Sequence, residues 1–249
     1  MAGHSHWAGI KYKKGANDAK RGKLFTKLGK QITVAAKLGG GDLDVNFGLR
    51  HAVDEAKAAN MPKDNIEKAI KRGTGELDGV SFESQVFEGY GPSGVAILVE
   101  ALTDNKNRTT SEVRKIFETK NGNMGQSGCV GWMFKRKGLF VFSAEKTSED
   151  QLMEAGLENG VEDIVQKDDV FEVTCDYKNF YELFNAFKNA GLQPEMSELA
   201  FIADVKVTLD KDTARPVLNL IESLDDHDDV QNVHANCELS DDVIREMEK

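Results

Sequence analysis

Proline and cysteine are scarce in this sequence of 249 residues, which holds only 4 Pro and 3 Cys. With 40% hydrophobic and 30% charged residues, so little proline argues against a disordered or fibrous chain and indicates a globular protein. Cys129, Cys175 and Cys237 are odd in number, lie far apart and form no Cys-x-x-Cys pair. We therefore expect free thiols in a reducing, cytoplasmic setting, and neither a disulfide framework nor a zinc site.

Long apolar runs are also missing. The longest stretches, such as residues 95–99, fall far short of the roughly 20 residues that a membrane-spanning helix needs, so we expect no membrane span. The N-terminus has no apolar segment behind its Lys and His residues, and we expect no secretory signal peptide. The length exceeds the usual size of one domain, which predicts two or three domains.

Charge is distributed unevenly along the chain, whose formal net charge is -10. Residues 1–75 hold 15 basic and 7 acidic side chains, a net of +8, whereas the remainder holds 17 basic and 35 acidic side chains, a net of -18. Within the first 40 residues nine side chains are basic and only Asp18 is acidic. A basic segment attached to an acidic body is typical of a protein whose one end meets a polyanion.

Apolar residues recur at spacings of three and four within the first 75 residues, which predicts helices with one buried face. The first helix covers about residues 20–38 and ends at the glycines of residues 39–41. A second helix contains residues 49–56. A third begins after Pro62, which suits a first helical turn, and Gly73 is expected to end it.

After residue 82 the pattern changes to period two, which predicts strands. The first series consists of strands at 82–90 and 95–102, a helix at 108–120 and a strand at 129–134. The second consists of a strand at 139–142, a helix at 151–157, strands at 163–165 and 170–175, a helix at 180–187 and a strand near 195–199. A strand at 205–209, a helix at 213–224 and a strand at 230–235 complete the first series.

This order of elements predicts an α+β protein with one α/β domain inserted in another. We expect a basic N-terminal three-helix domain (residues 1–77), a discontinuous ferredoxin-like (split βαβ) domain (78–135 and 203–249) and an inserted ferredoxin-like domain (136–202).

The basic N-terminal segment is the candidate nucleic-acid interface. On a helical wheel its lysines form a stripe apart from the apolar stripe, whereas Arg21 projects with the apolar set. Ammonium groups bind phosphates, and the aromatic rings upstream can stack on bases or sugars. The candidate residues are Trp7, Lys11, Tyr12, Lys13, Lys14, Lys20, Arg21, Lys23, Lys27, Lys30 and Lys37.

A solvated helix face is the alternative interpretation of this stripe. Two observations favour binding: acidic partners four residues away are missing, and the positive charge extends into a tail that needs no polar helix face.

Other motifs give no site. The glycine-rich residues 121–128 follow a helix and precede a strand, which is the wrong order for a phosphate loop. His4 and His6 lack further ligands at useful spacing. The sequence DDHDD at residues 225–229 lacks the glycine and distal glutamate of a calcium loop and is interpreted as a solvated acidic turn. No spacing singles out a catalytic set, so we predict no enzyme, no metal and no cofactor.

The opening stretch resembles the YebC/PmpR family, whose members begin with runs like AGHSKWANIKHRK and DAKRGKIFTKL. Here residues 2–14 read AGHSHWAGIKYKK and residues 18–28 read DAKRGKLFTKL. The similarity continues at residues 58–66, 88–92 and 102–109, covers most of the chain and weakens after about Lys146. His6, Gly9 and Tyr12 replace the usual Lys, Asn and His. The resemblance implies one helical and two α/β domains.

It also implies a cytoplasmic, non-enzymatic regulator. Bacterial members of that family are described as DNA-binding transcriptional regulators, and relatives, including a mitochondrial translational activator, act on translation at the ribosome. We therefore predict a regulator that binds duplex DNA, with a translation factor that binds ribosomal RNA as the alternative. In that alternative, Met61, Pro62 and Lys63 form an exposed probe loop between two helices.

A third hypothesis is a metal-dependent enzyme that uses Asp104 or residues 225–229. The acidic body is further interpreted either as a surface for a protein partner or as a mimic of nucleic-acid charge. The sequence leaves these readings of the acidic body open.

Overall fold

The computed structural model of the protein describes residues 18–167, 169–240 and 243, with only the backbone of residues 18–20. The described helices are α1 Asp18–Gly39, α2 Phe47–Ala58, α3 Lys63–Thr74, α4 Lys106–Thr119, α5 Glu149–Gly156, α6 Phe180–Asn189 and α7 Lys211–Asp225. The described strands are β1 Glu83–Tyr90, β2 Ala96–Thr103, β3 Asn123–Met124, β4 Phe134–Ser143, β5 Val161–Lys167, β6 Val170–Asp176, β7 Met196–Ala203, β8 Val207–Leu209, β9 Val230–Ala235 and β10 Cys237–Leu239. Three helices are followed by largely antiparallel sheets with helices, so the predicted α+β class is confirmed.

Helices α1, α2 and α3 share one apolar core, as their sequence period predicts. Its buried members are Leu28, Ile32, Ala36, Leu49, Ala52, Val53, Ala56, Met61, Ile66 and Ala69. Helix α2 begins where the side chain of Asn46 accepts a hydrogen bond from the Leu49 amide at 3.0 Å, which satisfies one of the unpaired donors of the first turn.

The end of α3 differs from the sequence prediction. Gly75, with a φ of +80°, ends the helix in the left-handed conformation that favours glycine, so the assignment of that role to Gly73 is wrong. Gly73 instead lets α3 approach α1, because a Cβ atom at this position would lie 2.5 Å from the carbonyl oxygen of Thr33.

The first sheet has the strand order β3-β1-β2-β9. Strands β1 and β2, predicted at 82–90 and 95–102, pair as an antiparallel hairpin, with Glu83 opposite Thr103 and Tyr90 opposite Ala96. The predicted strand at 129–134 is wrong, because residues 131–133 form a 3₁₀ turn and Phe134 opens the long strand β4. The second neighbour of β1 is instead β3, a strand of two residues inside the glycine-rich stretch at residues 121–128.

The second sheet has the order β5-β6-β4-β7, with antiparallel neighbours. Together with α5 and α6 it forms the predicted split βαβ unit. Its core is aromatic: the rings of Phe140 and Phe180 stack at 5.0 Å, and Phe142 meets Phe187 edge-on at 4.9 Å. Burial of such rings between helices and sheet stabilises this unit, together with the aliphatic residues of the same core.

The chain divides into two compact units. Of the described residues, one unit contains 18–130 and 212–233, and the other contains 131–211, 234–240 and 243. The second of these also contains β8 and β10, which pair in parallel. The finer division into three domains at residues 77, 135 and 202 stays a prediction. Among the described helices, none combines the length and the apolar character that crossing a membrane requires.

Candidate nucleic-acid interface

Three lysines of the predicted stripe contact one segment that lies about 200 residues further along the chain. Lys23, Lys27 and Lys30 are spaced four and three apart, so they share one side of α1. Their ammonium groups face residues 225–229, hereafter the acidic turn. Lys23 Nζ donates to the carbonyl oxygen of Asp226 at 2.9 Å, and Lys27 Nζ to that of Asp225 at 2.6 Å.

Lys30 contacts the inner end of the acidic turn. Its Nζ donates to the carbonyl oxygen of Asp228 at 2.9 Å and to Oδ1 of Asp229 at 2.5 Å. Both Lys30 and Asp229 are buried. The interpretation of residues 225–229 as a solvated turn is therefore wrong for Asp229.

The carboxylate of Asp229 collects further donors from α4. Its Oδ2 accepts hydrogen bonds from Arg108 Nη2 and Thr109 Oγ1, both at 2.7 Å. Burial alone would raise the pKa of Asp229, but the hydrogen bonds from Lys30, Thr109 and Arg108 outweigh it and hold the pKa well below its usual range. The same carboxylate raises the pKa of the Arg108 guanidinium through its hydrogen bond.

The remaining predicted site residues are dispersed. Arg21 lies with its guanidinium carbon 5.6 Å from the centre of the Phe25 ring, and Lys37 Nζ donates to the Ser81 hydroxyl at 2.6 Å. The backbone of Lys20 belongs to α1, and its side chain is not among those described. Five predicted residues lie outside the described residues: Trp7, Lys11, Tyr12, Lys13 and Lys14. The binding role of the whole set stays a prediction.

The predicted probe loop is not exposed as a whole. Met61 is only 7% exposed and belongs to the core of the three helices, so its expected exposure is wrong. Its amide donates to the carbonyl oxygen of Ala56 at 2.9 Å, which turns the side chain into the core. Pro62 and Lys63 are exposed.

Sequence reasoning missed a group of basic side chains on α3. Lys68, Lys71 and Arg72 are exposed, and among the described residues they have no acidic partner. The helical period carried the signal, because Ile66 and Ala69 are buried and these three side chains lie on the remaining faces. Cations held this way on a rigid helix can bind phosphate oxygens without first breaking an ion pair.

A metal would have to compete with cationic side chains at the acidic turn. In the described part of the chain, Glu112, His227 and Asp229 bring ligand atoms within 4.8 Å of one another. The oxygens of Asp229 already accept hydrogen bonds from Lys30 and Arg108, and Nδ1 of His227 accepts one from the Asp229 amide at 3.1 Å. We therefore assign no metal to this group.

Comparison with known proteins relates the chain to one family along nearly its whole length. The model for the TACO1/YebC protein N-terminal domain matches residues 5–76, and the model for the TACO1/YebC second and third domain matches residues 82–237. A crystal structure of a conserved hypothetical protein from Aquifex aeolicus is similar, with a TM-score of 0.83 and 44% identity over 90% of this chain and 93% of that one.

Curated bacterial proteins are similar over the same length. A protein of Geotalea uraniireducens is 53% identical over 99% of this chain and 100% of its own length, and one of Maridesulfovibrio salexigens is 54% identical over 100% of both. Each is named "probable transcriptional regulatory protein", a name that denotes a regulator and not a class of enzyme. By these matches, which extend over both compact units, the chain belongs to the TACO1/YebC family.

Proposed function

We propose that this protein is a DNA-binding transcriptional regulator, active in the cytoplasm, that holds duplex DNA through phosphate contacts. The contacts come from the basic N-terminal segment and from the exposed cations of α3. The observation that carries the proposal is the separation of charge: a net of +8 in residues 1–75 against -18 in the remainder. The name shared by the curated relatives supports the regulatory role.

Separation of charge favours binding in a defined orientation. The positive end is attracted to the phosphates, whereas the acidic body is repelled from them, so only one side of the molecule approaches the duplex. Lys68, Lys71 and Arg72 are available for such contacts because no described carboxylate neutralises them. Phosphate contacts give affinity and orientation without reading sequence.

The salt dependence of binding tests this proposal. The affinity for a fluorescent duplex of about two helical turns is measured by anisotropy between about 50 and 200 mM salt. With about six or more phosphate contacts, log affinity falls against log salt with a slope of about -5 or steeper. The variant Lys68→Ala/Lys71→Ala/Arg72→Ala should reduce the magnitude of the slope by about 2.7.

The matched control removes three exposed lysines from the other compact unit: Lys135→Ala/Lys146→Ala/Lys178→Ala. This control should keep the wild-type slope. A slope near zero, or equal behaviour of the two triple variants, would contradict the proposal. So would wild-type protein that sediments with ribosomes in a sucrose gradient and has no affinity for duplex DNA, which is the result expected of a translation factor.

A further inference from the structure

The ion pairs between α1 and the acidic turn become longer and more exposed from Lys30, at the buried inner end, to Lys23, at the exposed outer end. At the inner end the side chains of Lys30 and Asp229 are 10% and 5% exposed, and their charged atoms are 2.5 Å apart. Lys27 and Asp225 are 13% and 24% exposed, at 3.3 Å. At the outer end Lys23 and Asp226 are 45% and 58% exposed, at 3.8 Å.

The acidic turn offers these lysines the same chemistry as a nucleic-acid backbone. Helix α7 ends at Asp225, where the last carbonyl groups carry the negative end of the helix dipole. Lys23 and Lys27 each bind one carbonyl oxygen and one carboxylate oxygen of this region. A row of ammonium groups on anionic oxygens is also the arrangement expected along a phosphate chain.

We propose that the acidic turn is an internal competitor of phosphate for Lys23 and Lys27. The proposal deepens the proposed function and rests on it. In the free protein the turn covers the two lysines, and bound DNA displaces Asp225 and Asp226 from them. The buried pair of Lys30 and Asp229 stays in place as the anchor about which the outer part of the turn moves.

The exposed fraction of each ion pair determines whether bound DNA can break it. An exposed ion pair contributes little to stability, so phosphate replaces Asp226 first and the half-buried Asp225 after it. Breaking the inner pair would leave a charge buried without a partner, which costs far more. Competition therefore weakens DNA binding by a limited factor and leaves the fold intact.

Neutralising the outer carboxylates tests the proposal. In the variant Asp225→Asn/Asp226→Asn, the two lysines lose their carboxylate partners and keep the carbonyl contacts of the turn, so phosphate displaces the turn more easily. Duplex affinity should rise about tenfold at moderate salt, whereas the salt slope should stay near the wild-type value, because the same two lysines contact phosphate in both complexes. Circular dichroism checks that the variant is folded.

The matched control removes the same charge elsewhere in the same compact unit. Glu118→Gln/Asp212→Asn changes two exposed carboxylates that have no described ion pair. If the gain came only from the lower net negative charge, this control would gain as much. Equal duplex affinity of the two double variants would overturn the proposal.

Hydrogen exchange distinguishes the proposed competitor from a turn with a purely structural role, whose amide protection would not change when DNA binds. The amides of Asp226 and His227 donate to the carbonyl oxygens of Glu222 and Leu224, at 2.9 and 3.1 Å. Both amides should exchange faster when duplex DNA is bound. Unchanged protection in a saturated complex would overturn the competition. Failure of the wild-type protein to bind DNA at all would instead contradict the proposed function.

Discussion

At the scale of single residues, Asp229 connects the acidic turn to α1, α4 and the end of β2. One buried carboxylate accepts hydrogen bonds from Lys30 on α1 and from Arg108 and Thr109 on α4. Thr103 at the end of β2 adds a longer contact at 3.3 Å. Such a group is stable only while its partners remain, because a buried charge without partners costs several kcal/mol.

Replacement of Asp229 should therefore be strongly destabilising. Asp229→Asn leaves the buried ammonium of Lys30 without its counter-charge and should lower the free energy of unfolding by about 3–5 kcal/mol. Urea unfolding followed by circular dichroism measures this. The control is Asp228→Asn, one residue earlier, whose side chain is exposed; it should change stability by less than about 0.5 kcal/mol. Equal effects of the two variants would contradict the assignment.

The depressed pKa of Asp229 predicts a pH dependence with a definite sign. A carboxyl group whose pKa is lower in the folded state stabilises fully above its unfolded value, about 3.9, and this contribution is lost as the pH falls towards the folded value. The stability difference between wild type and Asp229→Asn should thus be constant above about pH 5 and shrink below about pH 4. Urea midpoints measured down the pH scale would show this, and a difference that grows in acid would refute it.

At the scale of elements, the crossing of α1 and α3 depends on the missing side chain of Gly73. A Cβ atom there would lie 2.5 Å from the carbonyl oxygen of Thr33 and 2.6 Å from the Cβ atom of Ala36. Backbone atoms cannot move aside as the tip of a flexible side chain can. The two helices would have to separate and open the core between them.

Two glycine substitutions should consequently have opposite effects. Gly73→Ala should lower the melting temperature through a loss of about 1–3 kcal/mol. Gly22→Ala, within α1, meets no atom within 4 Å and should raise it through a gain of about 0.5–1 kcal/mol, because alanine favours the helix. Scanning calorimetry of both variants checks the pair. A stabilised Gly73→Ala would show that the helices do not cross as described.

Most elements could be predicted from the sequence because their periods are local. Helix α7 and strand β9, for example, lie within two residues of the predicted bounds. Strand β3 could not be predicted, because two residues cannot show a period. Its position depends on pairing with Gly89, where a Cβ atom would lie 2.6 Å from the carbonyl oxygen of Asn123.

The candidate site was predictable only in part, because only its local features appear as a period in the sequence. The lysine stripe of α1 follows from the helical period, and so does its separation from the apolar face. The acidic turn that contacts this stripe cannot be predicted in the same way. Lys30 and Asp229 are 199 residues apart, and nothing in either local sequence specifies their pairing. The sequence of residues 225–229 alone predicts a solvated turn, and the contacts with Lys23, Lys27 and Lys30 are seen only in the folded chain.

At the scale of the whole molecule, the balance of charge should determine how DNA binding responds to the N-terminal lysines. Replacing Lys11, Lys13 and Lys14 by Gln removes three of the nine basic charges in the first 40 residues. The magnitude of the salt slope should fall by about 2.7. Circular dichroism checks that the variant is folded. An unchanged slope would place the DNA contacts elsewhere.

The pairing of Lys30 with Asp229 also has a consequence for the chain during its synthesis. A chain that grows by about 5–20 residues per second needs about 10–40 s to add the 199 residues between them. During that time Lys23, Lys27 and Lys30 of the nascent chain lack the acidic turn that contacts them in the folded protein. If the proposed competition holds, a polyanion near the ribosome meets Lys23 and Lys27 before Asp225 and Asp226 have been synthesised.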